Sequence, residues 1–570
     1  MRMHYLMINL KGRVMERFDW VTDDIRTFLE RGYFSDITIE ERYRQIADTL
    51  EDISGIENFS DTVYEYCRKN WISFASPILS NFGTNKGLPI SCNFGVVDDT
   101  LESILYGKAE MGMMAKHGAG TAKHMSSIRS YGEKYGKDKT GRSEGLISWI
   151  AEYASTIGKV NQGGLRRGFL TVYSSIEHPE IDSFLNIGME GDAKKDPAFG
   201  IRNITTGVCI PEGYLDAVKA GDRKKRKIYA KLLKRRSEKG FPYIYFEDNC
   251  NQQKPQVYID KNMKLITSNI CTEVIEYCDT EKEFACCLSS GNAAKFDEWE
   301  GTDFIFNLAI ILDCVNTEYI SKASKIRGFE KAVKFMEEHR SIGVGVLGFH
   351  SYLQQNMIPF GSLQSYQFNN RLFKHIQNET LRASKWMAKE WGEPVILKGY
   401  GLRNTTRIAI APTKSSSFIM GGYSLGIEPI KSNYHEKRLA KIQTTYKNPE
   451  LLKCLEGHNK NQRKIWKSIL EQNGSVQHLE FLTELERDVF KTFSEISQVD
   501  IIKLAGQRQQ YIDQGQSINL MIHPSTKPKD LSKLIFLAHE EGLKTLYYQY
   551  SINAAQAFNQ DLLTCSSCEG

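Results

Sequence analysis

The 570-residue chain carries 74 basic and 69 acidic residues, a formal charge of +5, with 41% hydrophobic and 25% charged residues. This balance is ordinary for a globular protein and excludes a wholly disordered, collagenous or coiled-coil chain. The charge is too small for this length to argue for a nucleic-acid binder. No run of ~18 apolar residues predicts a membrane span, and the short apolar start lacks a secretory cleavage pattern. A cytoplasmic setting is expected, in which the 12 cysteines stay reduced. Cys67, Cys209, Cys250, Cys278, Cys314 and Cys454 then read as small buried apolar side chains.

Residues 1–70 read as a helical N-terminal region, with charged and apolar residues at helical spacing in DDIRTFLERGYF and EERYRQIADTLEDI. The stretch WISFASPILSNFGTNKGLPISCNF then turns to Pro, Gly, Ser and short apolar runs. Beyond it, strand-like and helix-like segments alternate to about residue 550. LITSNICTEVIEY and SIGVGVLGF read as strands, and SYQFNNRLFKHIQNETLRASKWMAKEW as one long helix. Asp530 is placed to cap a helix through LSKLIFLAHEE that Gly542 stops, and LKTLYYQY follows as a strand. The alternation predicts an α/β domain with a parallel-rich sheet. The terminal DLLTCSSCEG has little to pack and predicts a mobile tail.

Several motifs carry possible chemistry. GVGVLG at 343–348 matches a dinucleotide fingerprint, but no acid stands about 20 positions on, and a tightly packed strand is the stronger reading. GKDKTGRS at 136–143 resembles a P-loop with Arg142 in place of the phosphate-binding lysine, and no strand precedes it. In APTKSSSFIMGG at 411–422, hydroxyls and glycines follow a strand end, which reads either as a natural anion pocket or as an ordinary Ser-rich loop. In SNICTEV at 268–274, an extended chain would point Asn269, Cys271 and Glu273 the same way. An amide, a thiol and a carboxylate on one face suit a reactive site, with Glu273 able to act as a general base; a half-exposed polar strand is the alternative. Cys92 lies in LPISCNF and Cys286 in FACCLSS, with Cys287 expected on the opposite face. The tail pair Cys565 and Cys568 forms a lone CxxC, a poor zinc tetrathiolate but a good exchangeable dithiol.

Together these segments resemble the large, catalytic subunit of a class I ribonucleotide reductase. ASPILSNFGTNKGLPISC resembles the segment of the first redox cysteine, SNICTEV the radical-cysteine finger, and CCLSS the site of the second redox cysteine. APTKSSSF with GIEPIKSNY resembles the substrate-phosphate loop, GLKTLYYQ the tyrosine-pair strand, and CSSC the dithiol tail. The motifs run in the family's order from about residue 70 to the C-terminus. The resemblance implies a ten-stranded α/β barrel over 71–555, with a redox tail at 556–570. It implies that Cys271 becomes a transient thiyl radical, that Glu273 and Asn269 handle the 3′-hydroxyl, and that Cys92 and Cys286 supply the electrons. Cys565 and Cys568 would reset that pair, and an external thioredoxin or glutaredoxin would reset the tail. Tyr547 and Tyr548 resemble the relay from a separate small subunit that holds the metal-containing radical cofactor; no metal is expected in this chain.

The resemblance places the ribonucleoside diphosphate against Ser76, Ser91, Gly120, Thr413, Ser415 and Ser416, with Lys414 inside the phosphate loop. A dNTP or ATP effector would bind near a homodimer interface through Asp99, Arg129 of SIRSYG, and Arg166 or Arg167 of QGGLRRG, a loop one residue shorter than common forms. About 70 residues precede the ASPIL segment, too few for a complete ATP cone. Specificity control without shutdown through a cone is therefore expected, as in cone-less bacterial or phage-encoded forms, the latter acting in a host cytoplasm. The alternatives are a cobalamin-dependent reductase of the same fold, a nicotinamide dehydrogenase using GVGVLG, and a non-catalytic nucleotide-binding regulator.

Overall fold

In the computed structural model, the described residues are 7–8, 14–15, 17–34, 37–90, 92–162, 166–439 and 442–551. The amphipathic N-terminal stretch forms helices Asp23–Gly32, Ile39–Ser54 and Phe59–Arg68. Thr22 and Thr38 cap the first two, each hydroxyl accepting the N–H three residues on, and Glu41 closes a capping box on Thr38. These helices share one core with the rest of the chain: Tyr43, Leu50 and Phe59 are buried in it. Phe28 also packs edge-on against Phe418, with ring centroids 5.3 Å apart.

The centre is built from short strands that are mostly buried on both faces, which explains the apolar runs of Tyr243–Phe246 and Gly343–Leu347. Five of them lie parallel and in order: β1 (Cys92–Val96), β2 (Gly120–His124), β3 (Phe169–Ser175), β4 (Thr205–Ile210) and β5 (Tyr243–Phe246). A second set starts from β6 (Phe284–Ala285) and its continuation β7 (Leu288–Asn292), which pairs in parallel with β8 (Gly343–Leu347). Parallel bridges Val344–Ile408 and Ile410–Gln516 carry the order onward. The Tyr547 N–H donates to the Ile518 carbonyl and brings in β9 (Thr545–Leu546). The two sets meet antiparallel at both joints, β6 on β1 and β9 on β5. Ten strand segments thereby close a barrel, as the family resemblance implies.

The long helix falls at Leu363–Trp391. Phe304–Ala323 is long and apolar enough by composition to cross a bilayer, but 67% of its most apolar stretch is buried inside the protein. GVGVLG is barrel strand β8, and its glycines serve packing: a Cβ at Gly345 would stand 2.8 Å from the Ala409 carbonyl oxygen. The P-loop-like segment is an exposed hairpin, Lys134–Tyr135 against Gly141–Arg142.

Some expectations need correction. Residues 263–278 contain no strand; they form a loop that enters the barrel. Asp530 does not cap its helix, which runs Pro528–Glu540 with Lys527 as the cap, because proline starts a helix without losing a hydrogen bond. The LKTLYYQY strand splits into β9 and Gln549–Ser551. A unit beyond residue 434 also escaped the sequence reading. There the hairpin Tyr434–Leu439/Ile442–Lys447 and helices Pro449–Gly457, Arg463–Glu471 and Glu484–Val489 enclose a separate small core of Leu451, Leu455, Trp466 and Ile469.

Gly515 lies where the wall meets the central loop: an added Cβ would stand 2.9 Å from the Thr272 carbonyl and 2.9 Å from Ile275 Cδ1. Gly515→Ala is expected to cost about 1–3 kcal/mol in urea denaturation by overpacking, and to lower turnover by displacing the loop.

Candidate active site

The loop holding SNICTEV is a tight turn. The Asn269 N–H donates to the Val274 carbonyl (3.2 Å), the Val274 N–H donates to Asn269 Oδ1 (3.1 Å), and Thr272 adopts a left-handed φ of 71°. The barrel wall serves its carbonyls one by one. Tyr173 Oη donates to Asn269 O (2.7 Å), Ser517 Oγ to Cys271 O (2.6 Å), Thr545 Oγ1 to Thr272 O (2.8 Å), and the Gly515 N–H to Glu273 O (2.8 Å). Buried backbone polar groups must be paired, and these four bonds fix the turn in the barrel's interior.

The turn presents Asn269, Cys271 and Glu273 to one cleft of about 620 Å³, shared with Cys92, Cys286 and Thr413. An extended strand was the wrong local geometry, yet the three side chains do converge. Cys92 and Cys286 are brought together by the antiparallel joint: Phe94 faces Phe284, Asn93 faces Ala285, and the Cys286 N–H donates to Cys92 O at 2.9 Å. Both thiols are reduced. Asn269 Nδ2 approaches Cys92 Sγ at 3.8 Å. Cys287 turns away, its thiol donating to the Leu312 carbonyl.

Burial sets the electrostatics. It pushes the Glu273 carboxyl up to about 7, against the opposing hydrogen bonds from Asn269 and from Ser517 (3.1 Å). Burial, with Cys92 alongside, raises the Cys286 thiol well above its ordinary value. A thiol held protonated is suited to giving up hydrogen or electrons rather than to attack as a thiolate.

Thr413 and Ser416 line the far end of the cleft with Ala411 and Pro412. Thr413 is left-handed (φ 53°) ahead of the helix Lys414–Ile419, and its Oγ1 accepts the Gly426 N–H at 2.8 Å. Ser415 is buried but is not part of the cleft lining. Ser76 is also buried behind the wall, its hydroxyl bonded to Tyr33 Oη at 3.2 Å, while neighbouring Ala75 and Pro77 reach the cleft. Gly120 sits opposite Cys92 in the β1–β2 register. Ser91, Cys565 and Cys568, and the side chain of Arg166, lie outside the described residues.

Tyr547 and Tyr548 are buried, with ring centroids 4.4 Å apart. Tyr243 packs against both, at 4.7 and 5.1 Å. Asp99, three residues after the end of β1, forms an ion pair with Arg129 at 2.5 Å, and the Arg129 N–H also donates to Asp99 at 3.2 Å. Sequence reasoning missed Tyr173, Tyr243 and Ser517. The tyrosines sit in apolar strand runs that give no local signal, and the Ser517 hydroxyl matters only because of what the fold brings to it.

The ribonucleotide reductase barrel-domain family model matches residues 90–225, 221–396 and 395–549. The Actinobacillus ureae class Id ribonucleotide reductase alpha subunit superposes with a TM-score of 0.88, at 46% identity over 96% of this chain and 99% of that one. The ribonucleoside-diphosphate reductase large subunit of Invertebrate iridescent virus 3 is 31% identical, covering 86% of this chain and 88% of its own. That of Danio rerio is 27% identical, covering 85% and 69%. The chain belongs to the ribonucleotide reductase family. Within it, this is a class I large subunit, a ribonucleoside-diphosphate reductase that takes a nucleotide substrate and works with a separate small subunit.

The buried carboxyl makes a testable trade. The folded protein holds the Glu273 proton more tightly than the unfolded chain does, so this contribution to stability is complete below about pH 4.5 and is lost as pH rises to about 7. Glu273→Gln should therefore gain up to about 3 kcal/mol over the parent at alkaline pH, with little difference in acid, when urea unfolding is followed across pH.

Proposed function

We propose that Cys271 is the radical-bearing residue and that Cys92 and Cys286 are the reductant. What carries this reading is the convergence of three cysteines, Asn269 and Glu273 in one cleft. A Cys271 thiyl takes the ribose 3′ hydrogen, a reversible step because sulfur- and carbon-centred radicals lie close in energy. Glu273, ionised above about pH 7, accepts the 3′-hydroxyl proton, while Asn269 hydrogen-bonds the substrate beside it. The 2′-hydroxyl departs as water. Cys92 and Cys286 together give up two electrons and two protons and end as a disulfide, and Cys271 returns the hydrogen to C3′. Tail thiols Cys565 and Cys568 then reduce that disulfide by exchange, and a thioredoxin or glutaredoxin renews the tail.

The substrate diphosphate lies toward Thr413 and Ser416, and Ser91, Ser415, Ser76 and Gly120 take part in substrate binding as the family resemblance implies. Tyr547 and Tyr548 carry the oxidising equivalent in from the small subunit's metal-containing radical cofactor; their closely packed rings, 4.4 Å between centroids, support the assignment. Asp99 and Arg129 take part in binding a dNTP or ATP effector, joined by Arg166. A homodimer forms over the helix Leu101–Lys116, which begins just after Asp99 and exposes Leu101, Leu105 and Tyr106 at helical spacing.

The decisive assay is deoxycytidine diphosphate formation from CDP with effector, dithiothreitol and a small subunit. Cys271→Ser should abolish turnover, and any residual turnover above background would remove the radical assignment. The Cys565→Ser/Cys568→Ser pair should keep a single reducing event but lose thioredoxin-driven multiple turnover; unchanged multiple turnover would remove the tail from the cycle. Leu105→Glu should shift the protein to monomer in sedimentation velocity and blunt the effector response.

A further inference from the structure

The unit beyond residue 434 holds a cluster of donor atoms that the reduction chemistry does not use. Cys454 and His458 stand four residues apart at the end of the helix Pro449–Gly457, so both project from one side of it. Glu486 comes from the helix Glu484–Val489, which contributes Val489 to the same small core. Cys454 Sγ lies 3.4 Å and His458 Nε2 lies 2.7 Å from the same carboxylate oxygen, Glu486 Oε1. All three donor atoms lie within 4.8 Å of one another. Ligand atoms around a tetrahedral zinc ion stand about 3.5 Å apart, so small side-chain adjustments would bring the three onto one ion.

Two features prepare this set. Glu486 is the capping-box residue of its helix, and its other oxygen accepts from the Thr483 N–H (2.7 Å) and Oγ1 (2.9 Å). That fixes the carboxylate plane and aims Oε1 at the Cys454–His458 pair. A carboxylate, an imidazole and a thiol are the mixed donor set that borderline-soft divalent cations accept.

We propose that Cys454, His458 and Glu486 form a three-ligand site for Zn²⁺ or a similar borderline-soft divalent cation, with water completing the coordination. On binding, the Cys454 thiol releases its proton to solvent and a sulfur–metal bond replaces it; no electron changes hands. The site is a clip rather than a second reaction centre. It ties the Pro449–Gly457 helix to the Glu484–Val489 helix across a core too small to be rigid by itself. The clipped unit also supports the flank of the reaction cleft: Asn433, just after GIEPIKS, donates to the Gly474 and Phe490 carbonyls, and Asn448 donates to Asn433.

The test uses the full chain, stripped with a chelator and kept reduced, in a Cys565→Ser/Cys568→Ser background that removes the tail thiols. Titration with Co²⁺ alone should give a one-to-one thiolate-to-cobalt charge-transfer band with visible bands of tetrahedral intensity, and Zn²⁺ should bleach both. Cys454→Ser and His458→Ala should each lose the band. Glu486→Gln, which keeps the Thr483 contacts and the fold, should weaken binding about tenfold or more. Zn²⁺ should raise the melting temperature of the parent and not of Cys454→Ser, while Cys454→Ser made in the chain with its tail cysteines intact retains CDP reduction with the small subunit. A cobalt band that persists in Cys454→Ser, or no band and no Zn²⁺-dependent melting shift in the parent, overturns the proposal.

Discussion

A polar turn inside a closed barrel has to find a partner for every buried backbone group, and that requirement organises this protein. Four such carbonyls within one turn, at Asn269, Cys271, Thr272 and Glu273, are met by Tyr173, Ser517, Thr545 and Gly515. The donors come from strands far apart in sequence, so the turn is held only once the barrel has closed. Leaving one such carbonyl unpaired would cost about 1–3 kcal/mol. The same lattice of bonds sets the direction of Cys271 and the environment of Glu273, and structure and chemistry here share the same atoms.

Burial then sorts the ionisable groups. Away from water the neutral forms are favoured, which keeps the Cys286 thiol protonated and leaves Glu273 balanced between its two states near neutrality. It also pushes up the Tyr243 and Tyr173 phenols. A cleft with a protonated Cys286 thiol and a Glu273 carboxyl able to take or release a proton fits hydrogen-atom and electron transfer better than nucleophilic catalysis.

How much of this could be read from residues alone depended on whether the signal was local. The N-terminal helices, the helix Leu363–Trp391 and the strand GVGVL are written in short-range periodicity and appear where expected. Asn269, Cys271 and Glu273 were found through their unusual residue types, although the reason for their convergence was misjudged: alternation along a strand was invoked where a left-handed Thr272 does the work. Ser76 was legible as part of the right segment but not as a residue behind the wall, because one position decides which side of a chain faces the cavity. Tyr173, Tyr243 and Ser517 gave no warning, since their partners arrive from other strands. The unit beyond residue 434, with its separate core, was hidden for a similar reason: its short helices look like any others until they are seen to pack on one another rather than on the barrel.

The antiparallel joint between β6 and β1 has one more implication. Cys92 and Cys286 occupy directly opposed, hydrogen-bonded positions, where α-carbons stand about 5.5 Å apart. That spacing already falls within the span a relaxed disulfide bridges. A bond between the two sulfurs would therefore ask for side-chain rotation rather than for the strands to part.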